Sequence, residues 1–445
     1  MVLTGRVAVL AALGAVIVAV AVPSVVGVVV VSGVVLAVTG VDAALAGAPR
    51  ALHLDRGGDH AARLGEQAHV QLSVRNDGTR RVRGILRDAW SPSAGATGER
   101  HRLDLEPGGR HVVETVLRPT RRGDRHADRV TIRTFGPLGL GGRQSWRHVP
   151  WSVRVLPAFR ARRHLPSRLA RLREIDGRSA VRTRGAGTEF DSLREYVIGD
   201  DTRSIDWRAT ARGGGVVVRT WRPERDRHVL IVLDTGRTSA GRVGTAGIDG
   251  AAVGGTGRDE PRLDAAMDAA LLLAALANRA GDRVDMIAYD RRVRASVTRP
   301  PPGATLPRLV DALAPVEPEL LETDHRGLAA EVMQRAGRHA FVVVLTGLDS
   351  SAVELGLLPV IGRLTHRHTV LIASVADPRL EQLAAGRGDT HAVYGAAAAE
   401  HDRLARARVS EQLTRRGAHV VDAPPGDLPP AVADAYLDLK AAGRL

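Results

Sequence analysis

The sequence predicts a multidomain chain: an N-terminal transmembrane helical hairpin, a small antiparallel β-sandwich, and a doubly wound α/β domain. Three observations predict it. No charged side chain falls between Val7 and Val41. Short β-like runs broken by turn clusters follow, and from His228 onward apolar strands alternate with helical stretches. Boundaries drawn where the pattern changes give a hairpin over 1–48, a β-rich domain over 49–158, a connector over 159–227 and the α/β domain over 228–445.

The apolar run comes first. As one straight helix Val7–Val41 would be about 50 Å long, more than the roughly 30 Å of a bilayer's hydrocarbon core. Pro23-Ser24 near its middle is a turn signal, and a break there gives two short helices that return the chain to its starting side. Arg6 precedes the run, and Arg50, Arg56 and Arg63 follow it, so charge bias places both flanks in the cytoplasm. The alternatives are a single long anchor or a secretory signal peptide, with Arg6 as its basic end and Ala19-Val20-Ala21 as its cleavage site. A second apolar run directly after that site is more than a cleaved leader needs.

In the β-rich stretch, His69–Gly78, Arg110–Pro119, Asp128–Leu140 and Trp151–Pro157 carry strand-like runs. Asn76-Asp77-Gly78 and Pro107-Gly108-Gly109 mark turns between them, a spacing that suits a sandwich. The arginine-rich connector Arg160–Arg184 reads as a partly helical, solvated charged face, or one lying on anionic headgroups.

Within the α/β domain, strands are expected at His228–Leu233, Val284–Tyr289, Phe341–Leu345, Thr369–Ser374 and His419–Val421. Helices are expected at Leu263–Ala280, Leu306–Leu313, Gly327–Ala336, Ala352–Leu364 and Glu400–Arg416. Gly241–Gly257 reads as a low-complexity insertion, since its glycines lack the strand and helix that frame a phosphate-binding loop.

Composition narrows the function classes. With no cysteine, the chain has no disulfide, thiolate metal site or cysteine nucleophile. The formal charge of +14 is almost wholly arginine, with Lys440 the sole lysine, and aromatics make up 3% of the chain. So few stacking platforms do not suit single-strand binding, and no nucleic-acid partner is expected. The sixteen histidines are scattered, and His366-Arg367-His368 lacks ligand spacing.

Two constellations carry possible chemistry. Asp234 ends a buried strand and opens Asp234-Thr235-Gly236-Arg237-Thr238. A carboxylate at that edge of a parallel sheet, with a hydroxyl four residues on, resembles the metal-ion-dependent adhesion site of von Willebrand factor A domains. That resemblance implies a hard cation such as Mg²⁺ on oxygen ligands, here Asp234 and Thr238, with Thr323 from Glu322-Thr323-Asp324 on a second loop. Gly236 stands in place of the middle serine and Gly347 in place of the third-loop aspartate. Asp349, two residues on, is left as the substitute ligand or as a helix N-cap.

The second constellation spans Gly187–Arg212: Glu189-Phe190, Leu193-Arg194, Tyr196, Gly199-Asp200-Asp201, Arg203, Ile205-Asp206-Trp207 and Ala209-Thr210, continued by Arg219 and Glu224. This segment resembles the signature of the bacterial family called domain of unknown function 58. Phe135-Gly136-Pro137-Leu138-Gly139-Leu140 is similar to a further segment of that family, without its usual leading aspartate. The resemblance implies a transmembrane hairpin, a β-rich section and a von Willebrand A-like domain. It also implies a MoxR-type AAA+ ATPase as partner, and so a non-enzymatic adaptor or co-chaperone.

From the residues alone, Asp200 or Asp201 can cap a short helix, Arg203 can pair with Asp206 or a neighbouring carboxylate, and Trp207 and Tyr196 can fill a satellite core. Alternatively Arg194, Asp200, Asp201 and Asp206 form a polar groove for a partner or an ion. Two other functions stay open: a metal-dependent hydrolase using Asp200, Asp201 and Asp206, and a structural envelope protein whose sandwich makes the contacts.

Overall fold

The computed structural model describes residues 1–182, 189–198, 200–213, 215–222, 227–244, 259–301 and 303–445. They fall into two compact units, Met1–Leu156 and Pro157–Leu445.

In the first unit the apolar run is two helices, Gly5–Ala21 and Val25–Leu45. Pro23 supplies no amide hydrogen, and the Ser24 side chain accepts from Gly27 N at 3.1 Å to start the second helix. The stretch Val25–Ala51 is long and apolar enough to cross a membrane, and most of it is exposed; Gly5–Ala21 is a shorter apolar helix. Gly14 lets the two approach, since a Cβ there would lie 2.6 Å from Val31.

Both ends of this hairpin are fixed to one turn. Asp42, just past the uncharged stretch and 1% exposed, accepts from Leu138 N (2.8 Å), Leu140 N (2.7 Å) and Gly141 N (2.9 Å). Thr4 donates its hydroxyl to Gly139 O at 2.6 Å, and Arg6 reaches Leu138 O. Gly136 is obligatory here, because a Cβ would fall 2.1 Å from Asp42 O. The Phe135–Leu140 segment is thus the socket that receives the helix ends, and Asp42 supplies a carboxylate from far upstream in the chain.

Two sheets make up the rest of this unit. Leu52–Gly58, Ala68–Asn76, Arg110–Leu117 and Ala96–Thr97 form a four-stranded antiparallel sheet. Seven strands form the other, including Val82–Trp90, Gly123–Phe135 and Gly141–Arg147, antiparallel except where Ser152–Leu156 runs parallel to Ala61–Arg63. Leu52, Leu72 and Val74 of the first sheet share a core with Val82, Leu86, Val130 and Ile132 of the second. Alternating burial along Ala68–Asn76 is the period-2 pattern that turns one face inward. Asn76 ties both turn signals together, donating to Arg80 O, Leu105 O and Glu106 O.

The second unit holds a six-stranded sheet in the order Val293–Val297, Arg283–Tyr289, His228–Asp234, Phe341–Leu345, Thr369–Val375, His419–Ala423. All pairs are parallel except the edge strand Val293–Val297. His325–Arg335, Leu358–Thr365 and Thr390–Arg415 bury one face over Leu230, Val232, Val342 and Ile372. Arg262–Arg279 and Leu428–Ala441 cover the other, with Tyr436 against Phe341.

Several elements differ from the sequence expectation. Val293–Val297, Arg379–Ala384 and Leu428–Ala441 had no predicted counterpart, and the helix expected over Glu400–Arg416 begins at Thr390, because Asp389 caps it through Ala392 N. The stretch expected as one helix over Ala352–Leu364 contains a π-turn at Val353–Leu357. Its Gly356 makes room for His325, whose Nδ1 would lie 2.4 Å from a Cβ there. The arginine connector is not simply a solvated face: in the helix Leu165–Arg182, Arg168 and Arg171 pair with Asp434 at 2.8 and 3.4 Å, and Leu172 is buried. Most of the glycine-rich insertion lies outside the described residues.

Candidate functional site at the carboxyl edge of the parallel sheet

His228–Asp234 is central in the sheet, so its last residue emerges between loops from both neighbouring strands. Asp234 is 2% exposed. Its Oδ1 accepts from Gly236 N at 2.8 Å and Thr323 Oγ1 at 2.5 Å. Its Oδ2 accepts from Thr346 Oγ1 at 2.5 Å and Thr238 Oγ1 at 3.3 Å. A buried carboxylate this short of water is stable only because four donors replace its hydration. Asp234, Thr238 and Thr323 are therefore brought together, and Thr346 joins them.

The two glycines explain themselves sterically. A Cβ on Gly236 would stand 2.1 Å from Thr323 Oγ1, so the threonine hydroxyl fills the space a middle serine would take. A Cβ on Gly347 would stand 2.6 Å from Asp349 Oδ2, so Asp349 reaches back over that position. Asp349 does sit at the N-cap of Ser350–Ala352, but its side chain makes no capping bond. It accepts instead from Arg262 Nη1 at 3.2 Å.

Whether these residues fit a hard divalent cation is decided by that arginine. Two carboxylates and three hydroxyls are oxygen donors of the right kind. Yet Arg262 Nη1 bridges Asp349 Oδ2 and, at 3.4 Å, Thr238 O, so a guanidinium already holds the ground between the first and third loops. Both oxygens of Asp234 are engaged by protein donors, and Gly236 offers no ligand. Among the described residues no group of three or more His, Asp or Glu is placed to hold a metal. As arranged, the set does not fit Mg²⁺.

Around this centre the edge is laced by arginine–carboxylate pairs. Thr235 donates to Asp290, which also accepts from Arg294 at 2.5 Å. Burial pushes the Asp290 carboxyl up, but Arg294 and the amides of Arg291 and Arg292 outweigh it and hold the group below its ordinary range. Arg237 pairs with Glu322 at 2.6 Å on the rim. His325, 7% exposed, is pushed below its ordinary value chiefly by burial, against the field of Asp234. Sequence reasoning missed Thr346, Arg262 and His325. Thr346 had a signal, a hydroxyl directly after a buried strand; Arg262 had none, since only the fold carries it across the glycine-rich insertion.

The signature segment is built differently. Glu189–Glu195 pairs antiparallel with Val217–Arg222. Asp200 accepts from Arg194 at 2.5 and 2.7 Å and from Val197 N at 2.9 Å. Asp201 accepts from Arg203 N and caps the short turn Thr202–Ser204. Asp206 caps Trp207–Gly213 through Arg208 N and Ala209 N, and pairs with Arg219 at 2.8 Å rather than with Arg203. The Arg194 pair is the chief cause that lowers Asp200; the Ala209 amide, ahead of Arg219, lowers Asp206. Each of the three carboxylates thus serves its own local donors. Trp207 does not fill a satellite core: it is 68% exposed, close in sequence to Val197 (61%) and Ile198 (97%), while Tyr196 is half-buried. Gly199, Glu224 and the side chain of Glu189 lie outside the described residues.

A family model described as protein of unknown function DUF58 matches residues 192–418, a little more than half of the chain. No curated protein matches it. Among solved structures, it is similar to the CARDB domain of a Pyrococcus furiosus protein, solved with di-metal ions, at 16% identity over 23% of this chain and 86% of that one, TM-score 0.18. A FixG-related protein from Vibrio parahaemolyticus matches at 9% identity over 24% of this chain and 96% of that one, TM-score 0.17. A β-glucosidase from Listeria innocua matches at 14% identity over 22% of this chain and 16% of that one, TM-score 0.15. Likenesses at these scores bear on neither fold nor function.

Proposed function

The chain belongs to the DUF58 family, and from that premise we propose a membrane-anchored, non-enzymatic interaction protein, an adaptor or co-chaperone whose partner is a MoxR-type AAA+ ATPase. The observation that carries it is the convergence of Asp234, Thr238, Thr323, Thr346, Asp349 and Arg262 at the edge where parallel sheets present their ligand sites. These are recognition groups: carboxylates, hydroxyls and a guanidinium.

Support for a von Willebrand A-like reading of the second unit comes from its strand order, with the first strand central and one antiparallel edge strand. Support for anchoring comes from the exposed apolar hairpin, whose two ends are pinned to the socket at Phe135–Leu140. The socket holds the β-sheets of the first unit close to whatever the hairpin enters. Arg6 and Arg50 flank the hairpin exposed, which favours a cytoplasmic side for both ends. Arg56 belongs to the core, paired with Asp88 at 2.6 Å, and adds nothing to that bias.

The test is an affinity pull-down of the full-length protein from membranes with Asp349→Ala and Trp207→Ala variants beside the wild type. Recovery of an AAA+ ATPase with wild type, and its loss with Asp349→Ala at unchanged circular dichroism, is expected. Recovery of the ATPase equally with Asp349→Ala moves the contact away from this edge, and no ATPase with wild type sinks the reading.

A further inference from the structure

We propose that the foot of the apolar hairpin is a binding site for the phosphate of an anionic phospholipid, held between Arg80 and Arg143. The proposal rests on the anchoring half of the proposed function and is independent of the partner named there.

Two arginines converge on one oxygen. Ala44 lies in the last turn of the helix Val25–Leu45, and its carbonyl accepts from Arg80 Nη1 at 3.0 Å and from Arg143 Nη2 at 3.1 Å. Arg143 Nε also donates to Ala43 O at 3.1 Å. Both arginines are exposed, and among the described residues no carboxylate accepts from either. Their neighbours differ: Arg81 pairs with Asp104 at 2.5 Å and Glu106 at 3.5 Å, and Arg83 with Asp104 at 3.7 Å. Arg6, exposed in the first turn of the other helix, donates to Leu138 O and likewise has no acid among the described residues.

Helix capping does not account for this much charge. The carboxyl end of a helix carries about half a negative charge, which one guanidinium already exceeds. Asp42 is the acid of this helix end, but it is buried and accepts from the amides of Leu138, Leu140 and Gly141. Even with its charge counted, the three arginines leave the foot positive. Two guanidinium groups sharing one acceptor also repel each other, and an anion between them relieves that repulsion. A phosphate offers an oxygen to the remaining N–H groups of each.

The surface beside the pair selects the source of that phosphate. Val41 and Leu45 of the same helix are exposed, and so are Leu3 and Leu138 at the socket. They continue the apolar surface of a stretch long enough to cross a membrane. A phospholipid places its phosphate at the depth where an apolar helix leaves the hydrocarbon, with its acyl chains along that helix. A free phosphate ion gains nothing from the apolar side chains.

The experiment titrates full-length protein in detergent micelles with phosphatidylglycerol or phosphatidylcholine and counts bound lipid by native mass spectrometry, with inorganic phosphate as competitor. The wild type is expected to hold phosphatidylglycerol about tenfold more tightly than phosphatidylcholine. Arg80→Gln/Arg143→Gln should erase that preference. Arg75→Gln, which removes an arginine already paired with Asp77 at 2.7 Å, should keep it. Circular dichroism checks the fold, and if the double variant is unfolded, Arg80→Gln alone should lose most of the preference. A wild type without preference overturns the proposal. So does a preference that survives in a folded Arg80/Arg143 variant, an equal loss with Arg75→Gln, or displacement of phosphatidylglycerol by millimolar phosphate, which would make this a site for the free ion. Flotation of the wild type with phosphatidylcholine vesicles reads the anchoring separately. Protein that floats but shows no preference sinks the lipid site alone, and protein that does not float sinks the anchoring and the lipid site with it.

Discussion

Two runs of carboxylates in this chain look alike on paper and are opposite in space. Asp200, Asp201 and Asp206 take their hydrogen bonds from residues 2 to 13 positions away. Asp234 takes two of its four from Thr323 and Thr346, 89 and 112 positions away. The first set is a series of local caps and pairs that water can replace. The second is a buried junction at which three loops agree on one carboxylate, and water cannot substitute for any of them. The spacing of acidic residues therefore says little about function, while burial and the range of the donors say much.

The largest test of that contrast is Asp234→Ala. Three hydroxyls and an amide would lose their acceptor in a dry site, and the second unit should lose about 3 kcal/mol or more, read from urea unfolding. Asp234→Asn, which keeps one acceptor oxygen, should cost less. If both variants unfold with the wild type, the junction is not structural and the comparison fails. Next is Gly236→Ser, which restores the serine of the adhesion-site pattern. Its Cβ must push Thr323 off Asp234, at a cost of about 1–3 kcal/mol rather than a gain in metal affinity. A variant of wild-type stability would show that the loop yields freely.

Asp268 sharpens the contrast from the other side. It is a carboxylate in a burying environment with Ala161 N as its donor, at 3.0 and 3.1 Å, and its pKa is pushed up to about 6, chiefly by that burial. A folded-state value above the ordinary one favours the fold at low pH, and that contribution is lost as pH rises through about 6. Asp268→Asn should then stabilise the protein by about 1–2 kcal/mol at pH 8 and leave it unchanged at pH 4. A pH-independent difference would mean that the donor, not the charge, sets its effect. His325 titrates the opposite way: burial lowers it, so its contribution is complete above its ordinary value and lost as pH falls.

The smallest effect is expected at the signature. Asp206→Ala removes a helix cap and an exposed pair with Arg219, and its unfolding midpoint should shift far less than that of Asp234→Ala. A shift as large as that of Asp234→Ala would show that the signature carries as much of the stability as the buried junction does, and is not merely a surface.

Much of this was legible in advance because it is local. The uncharged run with Pro23-Ser24 at its middle, the strand His228–Asp234, the turn at Asn76-Asp77-Gly78 and the role of Asp201 as a cap all depend on near neighbours. The helix Leu428–Ala441 was not, because its two prolines at the start and scattered polar residues blur its period. Nor was the exposure of Trp207, since an aromatic residue in a dense motif reads as core until the neighbours that would cover it are placed.

By itself, then, the sequence determined the pair of apolar helices, one of them long enough to cross a membrane, the alternation that makes a parallel sheet, and Asp234 as the residue at its edge, since periodicity and breakers act within a few residues. Tertiary structure alone decided what surrounds that aspartate. Thr346 arrives from the next strand, Arg262 from a helix beyond an insertion, and Asp349 from the far side of a missing side chain. Asp42 likewise finds the Phe135–Leu140 turn only through the fold. Electrostatics and hydrogen bonds act through space, and no spacing along the chain records which distant donors will meet at one carboxylate.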